Sequence, residues 1–250
     1  MSGLCPSGSS PGRARWCRTT HPRTWPRRSR AAATLISPGD ISGGRITLGI
    51  GAGGNGFDAT TFLRSGQEPW TARERADRFG GFVPLLDRLH AEDSVSYEGA
   101  HYCAHEARNI PGCVRRPRLP FAVAATGPRG LKSAARHGQA WVTTGDPKLY
   151  ATGTPEQSVQ APRDQVEKLG KACADVDRDV GALDKTLLTG FTPDRGRPLD
   201  SLDAFVDFAG RHAELGFTEI VVHWPIRDSA FAADEKVFER IATEAPARLH

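Results

Sequence analysis

Short apolar runs and amphipathic stretches alternate along most of the chain. Apolar runs rich in β-branched residues are typical of buried strands. Short apolar runs occur at residues 45–51, 119–125, 139–143, 185–191 and 217–224, and the first of them is rich in β-branched residues. Apolar residues with helical spacing predict helices at 71–89 and from Asp200 or Ser201 to Ala213, a cap, proline and acid at 154–156 predict the start of a helix that runs to Ala174, and further helices are expected at 131–137 and 234–243. This repeated order of strand and helix predicts an α/β fold with parallel strands and right-handed crossovers.

Local signals refine two regions. Thr71 can cap the first helix with its hydroxyl, whereas two glycines and Pro84 are expected to weaken or kink that helix. The predicted apolar stripe of the helix consists of Phe79, Phe82, Val83, Leu86 and Leu89. Residues 94–102 alternate in polarity and turn at Glu98–Gly99, which predicts a small hairpin or an excursion of the chain before the second strand.

The strand–helix order fits either an open doubly wound sheet or part of a (β/α)₈ barrel. A dinucleotide-binding sheet would carry a glycine fingerprint after its first strand. Gly49, Gly51 and Gly53 match that fingerprint only weakly. In both architectures the functional site is expected at the carboxyl ends of the strands, where the connecting loops meet.

Residues 1–30 differ in composition from the rest of the chain. They contain seven arginines, and no acidic residue precedes Asp40. We expect residues 1–40 to form a separate basic segment, either disordered or read in a different frame, and residues 41–250 to form the folded domain. The net charge is +4, but no aromatic residues are regularly interleaved with the arginines, so we expect no nucleic-acid partner.

Targeting and metal-binding signals are also weak. No apolar run reaches the roughly 18 residues of a membrane span, and no apolar core follows the basic residues as in a signal peptide. We therefore expect a cytoplasmic protein without a membrane partner. The five cysteines are odd in number and lack CxxC spacing. They predict reduced thiols, without a disulfide framework or a bound metal.

Several short segments, taken in order, resemble the luciferase-like monooxygenase family. They are AAATL at 31–35, SGGR at 42–45, LGIGAG at 48–53, YEGAHY at 97–102, RPRLP at 116–120, GPRGL at 127–131, ARHGQAW at 135–141, LGFT at 215–218 and VHWP at 222–225. The resemblance covers about residues 30–245, and it depends on the order of the segments because none is decisive alone.

The resemblance implies an incomplete (β/α)₈ TIM barrel of the bacterial luciferase type. The five predicted strands correspond to barrel strands four to eight, and strands one to three are expected to be missing. The family's cofactors are FMN and the deazaflavin coenzyme F420, so the resemblance implies oxygen insertion or hydride transfer on a small organic substrate. The segments at 49–56 and 217–225 are more similar to the deazaflavin branch.

Two alternatives to a working enzyme stay open. A barrel without three strands would expose strand edges, so the chain could be an inactive fragment that binds cofactor weakly or not at all. The same edges favour a homodimer. The second alternative is a binding protein that uses its basic tail.

Gly127 and the helix after it are the predicted phosphate site. Without a side chain at Gly127, backbone N–H groups can approach an anion, and the helix presents its positive end. Thr126, Pro128 and Arg129 complete this candidate site, with Arg129 adding a charge-assisted contact. Thr143 could donate its hydroxyl to a phosphate or a substrate. The alternatives are an ordinary tight turn and an ordinary strand-end threonine.

The resemblance also implies residues near the cofactor ring. Gly51 and Gly53 would keep the end of the first strand open for a flat ring, and Trp224 would pack beside it. His223 is a candidate catalytic acid or base because imidazole exchanges protons near neutral pH. A structural histidine with ordinary hydrogen bonds is the competing interpretation of His223, and a glycine-rich turn that of Gly51 and Gly53.

Overall fold

A computed structural model describes residues 39–54, 68–110, 112–146, 149, 155–189, 198–229 and 231–249. The chain divides into two compact units, Met1–Val123 and Ala124–His250. Residues 1–38 lie outside the described residues, so the expected character of the segment at 1–40 stays a prediction. None of the described helices is both long enough and apolar enough to cross a membrane.

The first unit contains two neighbouring strands, a long helix and a hairpin. Its elements are β1 (Leu48–Gly51), α1 (Ala72–Ala91), β2 (Ser94–Glu98), β3 (Cys103–Arg108) and most of β4 (Phe121–Ala124). β1 lies beside β4, and the Leu48 amide donates to the Pro120 carbonyl over 2.8 Å. β2 and β3 pair antiparallel, so a hairpin forms here, but its second strand lies beyond the predicted range of 94–102.

α1 begins where the sequence predicts. The Thr71 hydroxyl accepts from the Glu74 amide at 3.2 Å, and the Glu74 carboxylate accepts from the Thr71 amide at 2.8 Å, a complete capping box. Pro84 lies inside α1 without ending it. Pro84 has no N–H group to donate to the Gly80 carbonyl one turn earlier. Gly80 is exposed, so water can donate a hydrogen bond to that carbonyl instead.

The buried face of α1 packs against the hairpin. Of the predicted stripe, Phe82 is only partly buried and the other members are buried: Phe79, Val83, Leu86 and Leu89. The cluster shared by helix and hairpin consists of Leu85, Leu89, Val95, Tyr102, Ala104 and Ala107. This contact gives the first unit a core of its own.

Arg118 anchors the segment that leads into β4. Its side chain is only 8% exposed and forms an ion pair with Asp87 of α1. It also donates to the Leu119 carbonyl at 2.7 Å and lies 3.7 Å from the centroid of the Phe121 ring. A cation is tolerated at this depth because a carboxylate, a carbonyl and an aromatic face all stabilise it.

The second unit continues the alternation of strand and helix. Its elements are α2 (Pro128–His137), β5 (Ala140–Thr143), α3 (Pro155–Ala174), a 3₁₀ turn (Val180–Ala182), β6 (Asp184–Leu188), α4 (Leu202–Glu214), β7 (Glu219–Val221) and α5 (Glu235–Arg248). β5 pairs parallel with β6, and β6 pairs parallel with β7. The Ala125 amide, just after β4, donates to the Val142 carbonyl of β5 at 3.1 Å. The predicted α/β fold with parallel strands is confirmed.

The described residues of α4 pack against α5 and against neighbouring aromatic rings. α4 and α5 share a cluster of Leu202, Phe205, Ala209, Ile241 and Ala245. His212 of α4 contributes to an aromatic row, with its ring centroid 4.3 Å from Phe208 and 5.7 Å from Phe217. Its Nδ1 is hydrogen-bonded to the Phe208 carbonyl at 2.8 Å. Burial lowers the pKa of the His212 imidazole, which favours the neutral ring.

The last strand is shorter than predicted. The predicted range was 217–224, whereas β7 spans Glu219–Val221. The neighbouring strand β6 ends at Leu188, the residue paired with Val221, so the ladder stops there. His223 and Trp224 were predicted at the end of this strand and instead lie in the segment that follows it.

Candidate functional site

The loop between β4 and α2 presents an exposed helix N-terminus. Gly127 is the N-cap residue of α2, and Pro128 occupies the first helical position, which suits a residue without an N–H group. No side chain caps this end of the helix. A Cβ atom added at Gly127 would meet no protein atom within 4 Å. Thr126, Gly127, Pro128 and Arg129 are all exposed, so a ligand can reach the loop.

Ala125 fixes the start of this loop. Besides the amide bond to Val142, the Ala125 carbonyl accepts from Trp141 Nε1 at 2.8 Å. A Cβ atom added at Gly130 would lie 2.8 Å from the Ala125 Cβ atom, so the first turn of α2 packs directly on Ala125. Trp141 is fully buried. In the sequence, Gly130 and Trp141 stand only within family-like segments, and no local pattern predicts this role for them.

The other end of α2 is held by Arg178. Its Nη1 donates to the carbonyls of Ala135 and Gly138, at 2.9 and 2.7 Å. A guanidinium at this end satisfies carbonyls that have no partner within the helix and complements the helix dipole. α2 is therefore fixed at its carboxyl end by Arg178 and at its first turn by Ala125.

Thr143 ends β5 with its hydroxyl directed toward α3. Its side chain is 1% exposed, and Oγ1 donates to Gln165 Oε1 at 2.5 Å. The same oxygen accepts from the Gly145 amide at 3.1 Å. Gln165 was not identified from the sequence, because an amide in an amphipathic helix has no pattern that marks it. Direct contact between Thr143 and a ligand stays a prediction.

His223 and Trp224 follow β7 and pack on aromatic rings. The His223 and Phe231 ring centroids are 4.3 Å apart with a 33° interplanar angle. The Trp224 ring meets Phe238 of α5 edge-on at 5.0 Å, and 61% of Trp224 is exposed. The exposed indole provides an apolar surface, whereas the roles predicted for both residues stay untested.

Gly51 and Gly53 belong to the first unit, and the other candidates belong to the second. Gly51 ends β1 and is exposed, as is Gly53. Arg75 of α1 holds the Gly53 loop by donating from Nε to the Gly53 carbonyl at 3.2 Å. Within the second unit, the loops after β4 and β5 are adjacent because the Ala125–Val142 bond joins those strand ends.

The described residues offer neither a metal-binding cluster nor a reactive thiol. Within the part of the chain that the structure describes, no group of three or more His, Cys, Asp or Glu side chains could hold a metal ion. Cys103, Cys113 and Cys173 are buried and unpaired with one another. Burial raises the pKa of all three thiols, so they stay protonated at neutral pH and are poor nucleophiles.

Comparison with known proteins identifies relatives of the chain. A sequence model of the family described as luciferase-like monooxygenase matches residues 18–173. An F420-dependent glucose-6-phosphate dehydrogenase of Beutenbergia cavernae is 28% identical over 265 residues, covering 88% of this chain and 73% of the relative. The enzyme of the same name from Microbacterium testaceum is 31% identical over 150 residues, covering 58% of this chain and 41% of the relative.

A solved structure has a similar fold. The F420-dependent tetrahydromethanopterin reductase of Methanopyrus kandleri superposes with a TM-score of 0.65 at 15% identity, covering 90% of this chain and 81% of that chain. This likeness bears out the predicted luciferase-type (β/α) barrel fold. Outside the hairpin, the described residues contain five strands, β1 and β4 to β7, as many as were predicted for barrel strands four to eight.

Proposed function

Because the chain belongs to the luciferase-like monooxygenase family, we propose that it binds coenzyme F420 and catalyses hydride transfer to or from a small organic substrate. The names of the curated relatives support F420 over FMN, since both relatives described above are F420-dependent dehydrogenases. The chain spans 41% of one of them and 73% of the other, so their activity is carried over as a proposal. Both relatives are named for glucose 6-phosphate as their substrate. For this chain we propose only the class of substrate, a small organic molecule.

The observation that carries the proposal is the open N-terminus of α2. A bound cofactor would be held there by its phosphate, an anion that matches the positive end of a helix. The space beside Gly127 is empty of protein atoms, and the helix has no side-chain cap to compete with a ligand. Arg129 is exposed and supplies positive charge within the same turn. These features fit a phosphate group.

The remaining candidates are assigned to the ring and the substrate. When bound, F420 would supply the deazaflavin ring that accepts or donates the hydride, and the protein would bind and orient it. Trp224 offers an exposed indole face against which a flat ring can pack. His223 would hold or release a proton at an imidazole nitrogen. Gly51 and Gly53 leave the end of β1 without side chains.

Titration with cofactor tests this proposal. Oxidised F420 and FMN are titrated separately into the 250-residue chain and into Gly127→Val, and binding is followed by fluorescence. We expect F420 to bind the parent and to lose at least about tenfold in affinity in the variant, because a valine would occupy the phosphate space. Gly127 has φ −103° and ψ 162°, a region that valine readily adopts, so the variant should fold.

Each outcome of the titration has a clear meaning. Binding of FMN in place of F420 would favour the oxygen-inserting branch of the family. Equal F420 affinity in parent and variant would refute the assignment of the α2 N-terminus. Binding of neither cofactor would refute the proposed function and favour the inactive-fragment alternative.

A further inference from the structure

Three hydrogen bonds close a ring between α3 and the loop after β5. Thr143 Oγ1 donates to Gln165 Oε1 at 2.5 Å, and Gln165 Nε2 donates to the Gly145 carbonyl at 3.1 Å. The Gly145 amide completes the ring by donating to Thr143 Oγ1 at 3.1 Å. Thr143 is 1% exposed and Gln165 is 6% exposed. Two buried side chains are thus committed to holding one short piece of backbone.

The ring fixes one orientation of the Gln165 amide. The Gly145 carbonyl needs a donor, so the NH₂ group of Gln165 must face it and the amide oxygen must face Thr143. Both backbone groups of Gly145 are satisfied by these two side chains. Gly145 has φ +82°, a left-handed conformation that glycine adopts without steric cost. The ring therefore specifies the direction in which the chain leaves β5.

This piece of backbone lies next to the proposed phosphate site. The Ala125–Val142 hydrogen bond joins the end of β4 to β5, and neighbouring strands are about 4.8 Å apart. The loop that starts at Thr126 and the loop that starts at Thr144 therefore leave adjacent strand ends within the second unit. The Thr144–Asp146 backbone therefore leaves the sheet beside the strand end that leads to Gly127.

We propose that Gln165 is a positioning residue for the cofactor site: together with Thr143 it holds the Thr143–Asp146 loop as the wall beside Gly127. This proposal rests on the proposed function, since it concerns the same phosphate-binding site. In this role the Thr143 hydroxyl acts through the loop, because its one proton and an acceptor position are used within the ring. Gln165 itself lies on α3 and touches the loop, with no contact to the ligand required.

The test compares ligand affinity with stability in variants of the full chain. Gln165→Met preserves much of the side-chain volume and removes both hydrogen bonds, and Thr143→Val removes the hydroxyl. We expect each to raise the Kd for oxidised F420 about tenfold, because the loop loses its fixed conformation. Thr143→Ser keeps the hydroxyl and should bind within about twofold of the parent. Gln160→Met is the matched control, since Gln160 is an exposed residue of the same helix.

A variant away from the ring separates positioning from simple stability. Ile241→Ala truncates a buried side chain of the α4–α5 cluster, so it should lower the melting temperature at least as far as Gln165→Met does. It leaves the three hydrogen bonds at Gly145 in place, so its Kd for F420 should stay within about twofold of the parent. If Gln165→Met fails to fold, Thr143→Val and Thr143→Ser provide the same comparison.

Three results would overturn the inference. One is a folded Gln165→Met protein that binds F420 as tightly as the parent, and a second is an Ile241→Ala protein that loses as much affinity for F420 as Gln165→Met does. Both would leave the proposed function intact. In the third, the parent binds neither F420 nor FMN, which would refute the proposed function and the role of Gln165 with it.

Discussion

Replacing Trp141 with Phe tests how strongly β5 holds the loop that leads to Gly127. The substitution removes the indole N–H that donates to the Ala125 carbonyl at 2.8 Å. Leaving a buried polar group without its partner costs about 1–3 kcal/mol. The smaller ring also leaves a cavity, because Trp141 is fully buried and lies 5.8 Å from Phe217 between ring centroids. That cavity adds about 1 kcal/mol.

We therefore expect Trp141→Phe to lower the free energy of unfolding by about 2–4 kcal/mol. The measurement is equilibrium unfolding in urea, with the midpoint and the slope fitted separately. Trp224→Phe is the matched control, because 61% of Trp224 is exposed and its loss should cost less than about 1 kcal/mol. Equal losses in the two variants would refute the claim that the Trp141–Ala125 bond fixes the loop.

Two further predictions concern packing and pH. Gly130→Ala should destabilise the protein by about 1–3 kcal/mol, because the new Cβ atom would lie 2.8 Å from the Cβ atom of Ala125. Gly127→Ala is the control, since its Cβ atom would meet no protein atom within 4 Å. Similar melting temperatures for the two variants would contradict the close packing of Gly130 on Ala125. Burial lowers the pKa of the His212 imidazole in the folded protein, so the unfolded chain binds the proton more readily. The contribution of His212 to stability is therefore complete above its unfolded pKa of about 6.5, and it is lost as the pH falls below that value. Melting curves between pH 8 and 5 should show that loss and show less of it in His212→Gln; an identical pH profile in the variant would assign the effect to other groups.

The sequence predicted elements whose signals are local. Thr71 and Glu74 are three residues apart and cap α1 by themselves, so the start of that helix could be predicted without knowledge of the fold. The turn at Glu98–Gly99 likewise marked the β2–β3 hairpin. The end of β7 could not be predicted in this way, because it depends on where β6 stops at Leu188. The length of a strand depends on the strand that pairs with it, and the apolar run through Trp224 does not indicate where β6 ends.

The candidate site shows the same limit. Gly127 could be singled out because a glycine before a helix is a local signal, and its role in binding a phosphate stays a prediction. Gln165 could not be predicted, because its role depends on hydrogen bonds to Thr143 and Gly145, which lie some twenty residues away along the chain. Trp141 appeared only as a motif letter, since its indole N–H acquires a partner through the pairing of β5 with the end of β4. Side chains that act through tertiary hydrogen bonds leave little trace in periodicity.

The anchoring of α2 at both ends has a kinetic consequence. Arg178 holds the carbonyls at its carboxyl end, and Gly130 packs against Ala125 at its first turn, so the helix has little freedom to slide along its axis. If Gly127 binds a phosphate as proposed above, the anion would meet amide groups that are already oriented, and no ordering of the helix would oppose its binding. Association at this point should therefore approach the rate of diffusional encounter, accelerated by the charge of Arg129 and slowed by added salt. Differences in affinity among ligands that share the same phosphate would then arise in their dissociation rates.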